Sequence, residues 1–272
     1  MKVCFVGGGN MASAMIGGLL KSGLAADSIS AVDVDAGQRE RLAERFGIRT
    51  YDTAAGAVAG CDCVVLAVKP QQVRHVAAGL APLLDGQLVV TIAAGVRTAD
   101  LARWLGGHDR IARAMPNTPA LIGQGIAGLY ASPGLSSDDR ARVERILGAV
   151  GGVLWVAREA QIDAVTAVSG SGPAYVFMMI EALEAAAAGV GFDAAQARRL
   201  ALATFAGAAN LAAGDAEPPA VLRARVTSKG GTTERGVAAL EAGGLHRLVA
   251  DAVQAANRRA IELGDESGSD AR

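Results

Sequence analysis

Aromatic side chains are scarce, at 4% of 272 residues, although 51% of the chain is hydrophobic. Alanine and glycine supply much of that apolar count, so the core must form by close approach of small side chains and not around large rings. Neither sign of charge is in excess: 26 basic against 27 acidic residues leave a formal net charge of −1. A soluble globular protein is expected, with neither nucleic acid nor a membrane as a partner. Only three cysteines occur, Cys4, Cys61 and Cys63. A lone Cys-x-Cys lacks the second pair that a zinc site needs, so no metal is expected. The odd count, with a strand-like KVCFVGGG start in place of a signal core, points to a reducing, cytoplasmic setting. The three histidines, His75, His108 and His246, read as surface or capping residues and assemble no Ser-His-Asp or metal constellation. The most apolar stretch, 174–190, carries Glu181 and Glu184 and is too short to span a bilayer comfortably. Any chemistry must therefore come from a cofactor, from hydroxyls or from the backbone.

What is present is a regular alternation. Residues 3–6, 29–33, 63–68, 88–92 and 110–114 read as strands, and 12–22, 38–46, 73–80 and 99–105 as the helices between them. Thr98 is the expected N-cap of the helix that starts at Ala99. Such alternation predicts a parallel, doubly wound α/β sheet of the Rossmann type. Two further strands, 127–131 and 153–156, flank a helix at 138–150 whose start carries the cap signal SSDD. From Glu159 onward the pattern is helical only. The expected organisation is a dinucleotide-binding domain over 1–158, an all-helical domain over 159–264 and a disordered tail over 265–272. The helix from Pro173 is apolar nearly all round and must be buried on every side. A short helical domain has little interior to offer it, so a homodimer through the C-terminal helices is expected.

Six motifs and one acid carry chemistry. In VGGGNMASAM, Gly7-x-Gly9-x-x-Ala12 lies between the first strand and the first helix, the place of a dinucleotide fingerprint. Gly7 allows the tight turn, Gly9 lets a pyrophosphate approach, and Ala12 keeps the helix against the sheet. Asp33 closes the second strand, 24 residues after Gly9, where an acid meets the adenosine ribose hydroxyls. Asp35 follows and no arginine occurs before Arg39, so the local chemistry favours NAD over NADP. The third, fourth and fifth strands end in AVKP (67–70), AAG (93–95) and RAMPNTP (113–119), at the sheet edge where ligands of such folds sit. Two prolines hold the Asn117 amide in a rigid loop suited to a nicotinamide or a substrate. In SGSGPAYVF (169–177), Ser171 and Gly172 either line a cavity or only permit a tight helix entry. Finally, VTSKGGTTERG (226–236) sets two glycines and two threonines before a helix, a combination that favours an anion such as a carboxylate.

These motifs, in this order and spacing, resemble those of the pyrroline-5-carboxylate reductases over nearly the whole chain up to about Glu262. The resemblance implies an oxidoreductase that reduces 1-pyrroline-5-carboxylate to L-proline with NADPH or NADH, the last step of proline synthesis. It implies a Rossmann domain and a helical dimerisation domain, dimers often assembled into decamers, and an active site shared across the dimer interface. Gly7, Gly8, Gly9, Asn10, Met11, Ala12, Ala67, Val68, Lys69, Pro70, Ala93, Ala94, Gly95 and Asn117 would then belong to the cofactor cleft, with Asp33 at the ribose. Val226, Ser228, Gly231, Thr232 and Thr233, with Ser171, would hold the substrate, and Thr233 is the side chain expected at the ring nitrogen. Asp33-Val34 stands where many relatives carry Asn-Arg or Ser-Arg, so NADH is expected to be at least tolerated. Leu222-Arg223-Ala224 lacks the acid that relatives commonly carry before the turn, and Lys229 stands where proline is frequent. A hydroxy-acid dehydrogenase of similar build would want a lysine or histidine base within 159–175, and neither occurs there.

Overall fold

The computed structural model describes residues 1–269. They form two compact units, Met1–Ser171 with the chain from Ala255 on, and Gly172–Gln254.

The first unit is built on eight strands: β1 (Val3–Val6), β2 (Ile29–Val32), β3 (Arg49–Tyr51), β4 (Cys63–Leu66), β5 (Leu88–Thr91), β6 (Ile111–Met115), β7 (Gly125–Ala131) and β8 (Gly151–Trp155). Their spatial order is β3-β2-β1-β4-β5-β6-β7-β8. The order reverses between β1 and β4, and this switch point is where a crevice opens beyond the strand ends. β1 is buried along its whole length. Val3 and Phe5 join the core on one face, while Cys4 and Val6 join the core on the other, as period-two alternation dictates. Helices α1 (Asn10–Lys21), α2 (Ala36–Phe46), α3 (Ala55–Val58), α4 (Pro70–Leu80), α5 (Thr98–Trp104), α6 (Ser137–Gly148) and α7 (Ala160–Val165) complete the unit with the end of α12 (Leu245–Gly268).

The sheet departs from the all-parallel expectation at one place, since β7 runs antiparallel to β6. Only residues 116–124 separate the two strands, too few for a crossover. β3 was not expected from the sequence, because three residues on a sheet edge give no readable alternation. Helix α6 starts as expected, with Ser136 and Asp139 in a reciprocal capping box. Thr98 does not cap α5 but is its first residue. Its N–H and hydroxyl donate instead to the carboxylate of Glu159, at 2.7 and 2.8 Å.

By packing, the compact division falls after Ser171, and α7 stays with the sheet. Ile162, Asp163 and Ala167 are buried, and a Cβ on Gly128 of β7 would lie 2.7 Å from Val165, so α7 packs onto the sheet. After α7 the helix widens over Thr166–Gly170, where Ser171 N donates to Thr166 O at 2.8 Å. The chain end also differs from expectation. α12 continues to Gly268, held by Arg97 against Asp265 at 2.7 Å and by Arg103 donating to Gly268 O at 3.0 Å. Residues 265–268 are therefore helical, and 270–272 of the expected tail lie outside the described residues.

The second unit contains α8 (Gly172–Gly189), α9 (Ala194–Gly214), α10 (Pro219–Arg225), α11 (Thr232–Ala242) and the first part of α12. α8, expected to be buried all round, buries no residue within the single chain. Phe177 is 60% and Met178 72% exposed. An apolar surface left open in this way marks a protein contact. Among the described residues no helix is long and apolar enough to cross a membrane.

Candidate active site

The glycine loop is shaped by what crowds it. Gly7 has φ +99°, and a Cβ there would fall 2.7 Å from Ala67 O and 2.9 Å from Val68. The β1–α1 turn therefore lies directly against the end of β4, and only glycine fits. At Gly9 an added Cβ would meet nothing within 4 Å, so no protein group explains a glycine there. It caps α1 without a side-chain partner, and the N–H groups of the first turn face no competing cap. An unfilled cradle at the start of a helix is what a pyrophosphate requires. The residues present fit a dinucleotide.

Asp33 is fixed to this loop. Its Oδ2 accepts from Gly8 N at 2.8 Å and its Oδ1 from Asp35 N at 2.9 Å. Arg39 corrects the sequence reading of this end of the site. One turn of α2 brings its Nη1 back to the carbonyls of Asp33 and Val34, at 2.8 and 3.1 Å. A cation thus stands on the backbone that follows β2, nearer than its place along the sequence suggests.

Gly7, Gly8, Gly9, Asp33, Ala67, Val68 and Lys69 line one cleft of about 720 Å³. Sequence reasoning missed its other wall, formed by Asp52 and Thr53 after β3 and by Gln72, His75, Val76 and Gly79 of α4. The spacing 72, 75, 76, 79 is one helical face and could have been read. His75 belongs to this lining and not to an unrelated surface. The remaining residues expected at the cofactor do not line this cleft. Asn10 opens α1 and borders an adjoining groove with Ser13 and Gln38. Ala12 is sealed in the core and Met11 packs against it, the role foreseen for Ala12. Pro70 occupies the first turn of α4.

Ala93 is buried, and its N–H donates to Thr91 Oγ1 at 3.3 Å; Ala94 beside it is half-buried. Gly95, φ +71°, meets the C-terminal helix: a Cβ there would lie 3.1 Å from Leu263 Cβ and 3.2 Å from its backbone. Asn117 is already committed on both sides of its amide. Its Oδ1 accepts from Ile126 N at 2.9 Å and its Nδ2 donates to Ser169 O at 3.1 Å. It braces the wide turn before Ser171, which is half-buried.

In the second unit residues 228–231 form a turn. Gly231 N donates to Ser228 O at 3.0 Å, and Gly230 has φ +74°, the positive angle that the third position of a type II turn requires. A Cβ at Gly231 would sit 2.6 Å from Ser228 Oγ. Thr232 and Thr233 open α11, whose start carries no side-chain cap. Val226, Ser228, Thr232 and Thr233 are exposed.

No thiolate is available for covalent chemistry. Burial raises the Cys4 thiol to about 12 and Cys61 to about 11, and holds Cys63 well above its ordinary range. Among the described residues no group of three acids, histidines or cysteines could hold a metal ion.

Known proteins match both halves of the chain. Residues 159–263 match the family model described as pyrroline-5-carboxylate reductase dimerisation, and residues 2–95 match one described as NADP oxidoreductase, coenzyme F420-dependent. The pyrroline-5-carboxylate reductase of Pseudomonas aeruginosa is 46% identical over 268 residues, 98% of each chain. That of Pasteurella multocida is 39% identical over 267 residues, 96% of this chain and 97% of the relative. The solved structure of the Coxiella burnetii enzyme superposes with a TM-score of 0.93 at 39% identity, covering 96% of this chain and 98% of that one. The Plasmodium falciparum pyrroline carboxylate reductase, solved with NADP bound, gives 0.85 at 27% identity over 97% and 98%.

Proposed function

The chain belongs to the pyrroline-5-carboxylate reductase family, and we propose that it reduces 1-pyrroline-5-carboxylate to L-proline with NAD(P)H. The observation that carries this reading is the pairing of two anion-ready helix starts in one chain. One is the open start of α1 beside Gly9, the other the uncapped start of α11 at Thr232. Bound in the cleft of the first unit, the nicotinamide supplies a hydride to the C=N carbon of the cyclic imino acid. The backbone N–H groups that begin α11 hold the substrate carboxylate, and the Thr233 hydroxyl orients the ring nitrogen or relays its proton. A protonated imine needs no strong general acid, so the substrate turn can work without a histidine. The protein's contribution is to position the two rings.

Asp33 serves the ribose hydroxyls and Arg39 supplies positive charge beside them, so both NADH and NADPH are accepted. Ser171 and Val226 border the substrate. The exposed apolar face of α8 is covered by a second copy of the chain. The reading extends to a cytoplasmic location and to the building of dimers into decamers, which sedimentation velocity measures directly.

The test is oxidation of NADH and of NADPH with pyrroline-5-carboxylate, with a 3-hydroxy acid and NAD run as the control. Turnover with the imine alone is expected. Turnover of the hydroxy acid, or cofactor binding with no turnover, overturns the reading, and an absolute NADPH requirement overturns the part that concerns NADH. If Thr233→Ala leaves turnover and affinity within about twofold, far from the usual 10²-fold scale of acid–base contributions, the proton role is withdrawn.

A further inference from the structure

We propose that Glu234 is a positioning residue that clamps the anion turn at Ser228–Gly231 in its binding shape; the inference rests on the function proposed above. Glu234 is the third residue of α11. Its carboxylate folds back across the helix start, and Oε2 accepts from Gly230 N at 2.7 Å. This resembles the return half of a capping box, displaced one residue upstream of the capping glycine.

The clamp falls where the turn most needs one. Gly230 is held at φ +74°, a conformation that glycine adopts freely and leaves as freely. The bond from Gly231 N to Ser228 O fixes one side of the turn. The hydroxyl of Thr227 donates to Arg223 O at 2.6 Å and fixes its entry from α10. Gly230 N is the donor between these two anchors, and Glu234 secures it. With the N–H groups of Gly230 and Gly231 both engaged inside the turn, the donors that the start of α11 leaves for a ligand anion include those of Thr232 and Thr233. Glu234 therefore acts through the backbone of the turn, not by touching substrate.

A carboxylate beside an anion site weakens anion binding by its charge. Its presence here is accounted for by the acceptor it supplies, and two variants separate these effects. Glu234→Gln keeps a carbonyl acceptor and discards the charge. Glu234→Ala discards both.

The experiment measures steady-state kinetics with pyrroline-5-carboxylate and NADPH, and amide hydrogen exchange over 227–235, for the wild type and both variants. For Glu234→Ala, KM for the imino acid is expected to rise about fivefold, the scale of one modest hydrogen bond. Its kcat and its KM for NADPH should stay within twofold, and Gly230 exchange should accelerate. Glu234→Gln is expected to restore both KM and protection to near wild type. Unchanged KM and exchange in Glu234→Ala overturn the clamp. A KM that falls overturns it as well, by making Glu234 a competitor for the anion site. A wild type that does not reduce the imine removes the functional reading, and the positioning role with it. That outcome is distinguishable from an active wild type indifferent to Glu234.

Discussion

Arg113 Nη2 lies 2.7 Å from Asp163 Oδ1, and both side chains are nearly sealed from water. The pair ties β6 to α7, and Glu159 extends it. Arg113 Nη1 lies 3.5 Å from Glu159 Oε1, and the same carboxylate holds the start of α5 through Thr98. The strand β6 and the starts of α5 and α7 are thereby fixed to one another within the fold. Removing one partner of such a pair strands the other in a medium that cannot solvate it. Asp163→Ala is expected to cost about 3–5 kcal/mol in denaturant unfolding. The double replacement Arg113→Met, Asp163→Leu should recover most of that loss, because no sealed ion is left unpaired and the part-exposed Glu159 keeps its bonds from Thr98. A single variant as stable as the wild type would show that the pair carries no such role.

Asn117 was expected to present its amide to a ligand, yet the amide is occupied by Ile126 N and Ser169 O. Asn117→Ala leaves a backbone donor and a backbone acceptor without partners, at about 1–3 kcal/mol each if water does not replace the amide. Asn117→Asp keeps the acceptor for Ile126 but sets a charge against the Ser169 carbonyl. Both variants should unfold at lower denaturant concentration than the wild type, with Asn117→Ala the milder in its effect on residues 166–171. A rise in KM for the cofactor without any loss of stability would return Asn117 to ligand contact.

Local signals carried much of this fold into the sequence. Gly7, Gly9 and Ala12 could be read because one turn needs all three in a fixed order. The Ser136–Asp139 box could be read because its partners lie three residues apart. What escaped was long-range. Thr98 looks like a cap, but its partner Glu159 is 61 residues away, and no spacing rule reaches that far. Arg39 was judged by its distance along the chain, whereas one helical turn returns its guanidinium to Asp33. Gly95 reads as a close approach, and only the folded chain reveals that the approaching group is Leu263. At the turn of residues 228–231 the residue types were legible, while the use of Gly230 N by Glu234 was not. The exposed face of α8 is the opposite case: its pattern asks for cover, and among the described residues none supplies it.

Acid should act on the first unit through Asp139. Burial alone would raise its carboxyl, but hydrogen bonds from Arg110 and Ser136 outweigh burial and hold it below the ordinary carboxylate range. Arg110 reaches it at 2.7 Å. A carboxyl lowered on folding contributes stability that is complete above its unfolded value, about 4, and is lost as pH falls through the folded value. The melting temperature of the wild type should therefore exceed that of Asp139→Asn at pH 7, and the gap should narrow below pH 4. A gap that stays constant from pH 7 to pH 3 would show that the charge of Asp139 is not what stabilises the helix start.

Gly95 offers a test of how the last helix is held. Its φ of +71° disfavours any side chain, and an added methyl would press on the Leu263 backbone at 3.2 Å, which no rotamer change can relieve. Gly264 is less constrained, since a Cβ there would meet only the far end of the flexible Arg97 side chain, at 3.0 Å. Gly95→Ala should therefore displace the end of α12 and strain the Arg97–Asp265 pair, which now stands at 2.7 Å. The expected result is faster tryptic cleavage after Arg258 and Arg259, both exposed but protected by their helix, together with a loss of about 1–3 kcal/mol of stability from the strained backbone. Leu263→Ala should not rescue the variant, because the crowding atoms include backbone. Wild-type cleavage rates and stability in Gly95→Ala would mean that the helix end docks through its ion pair alone.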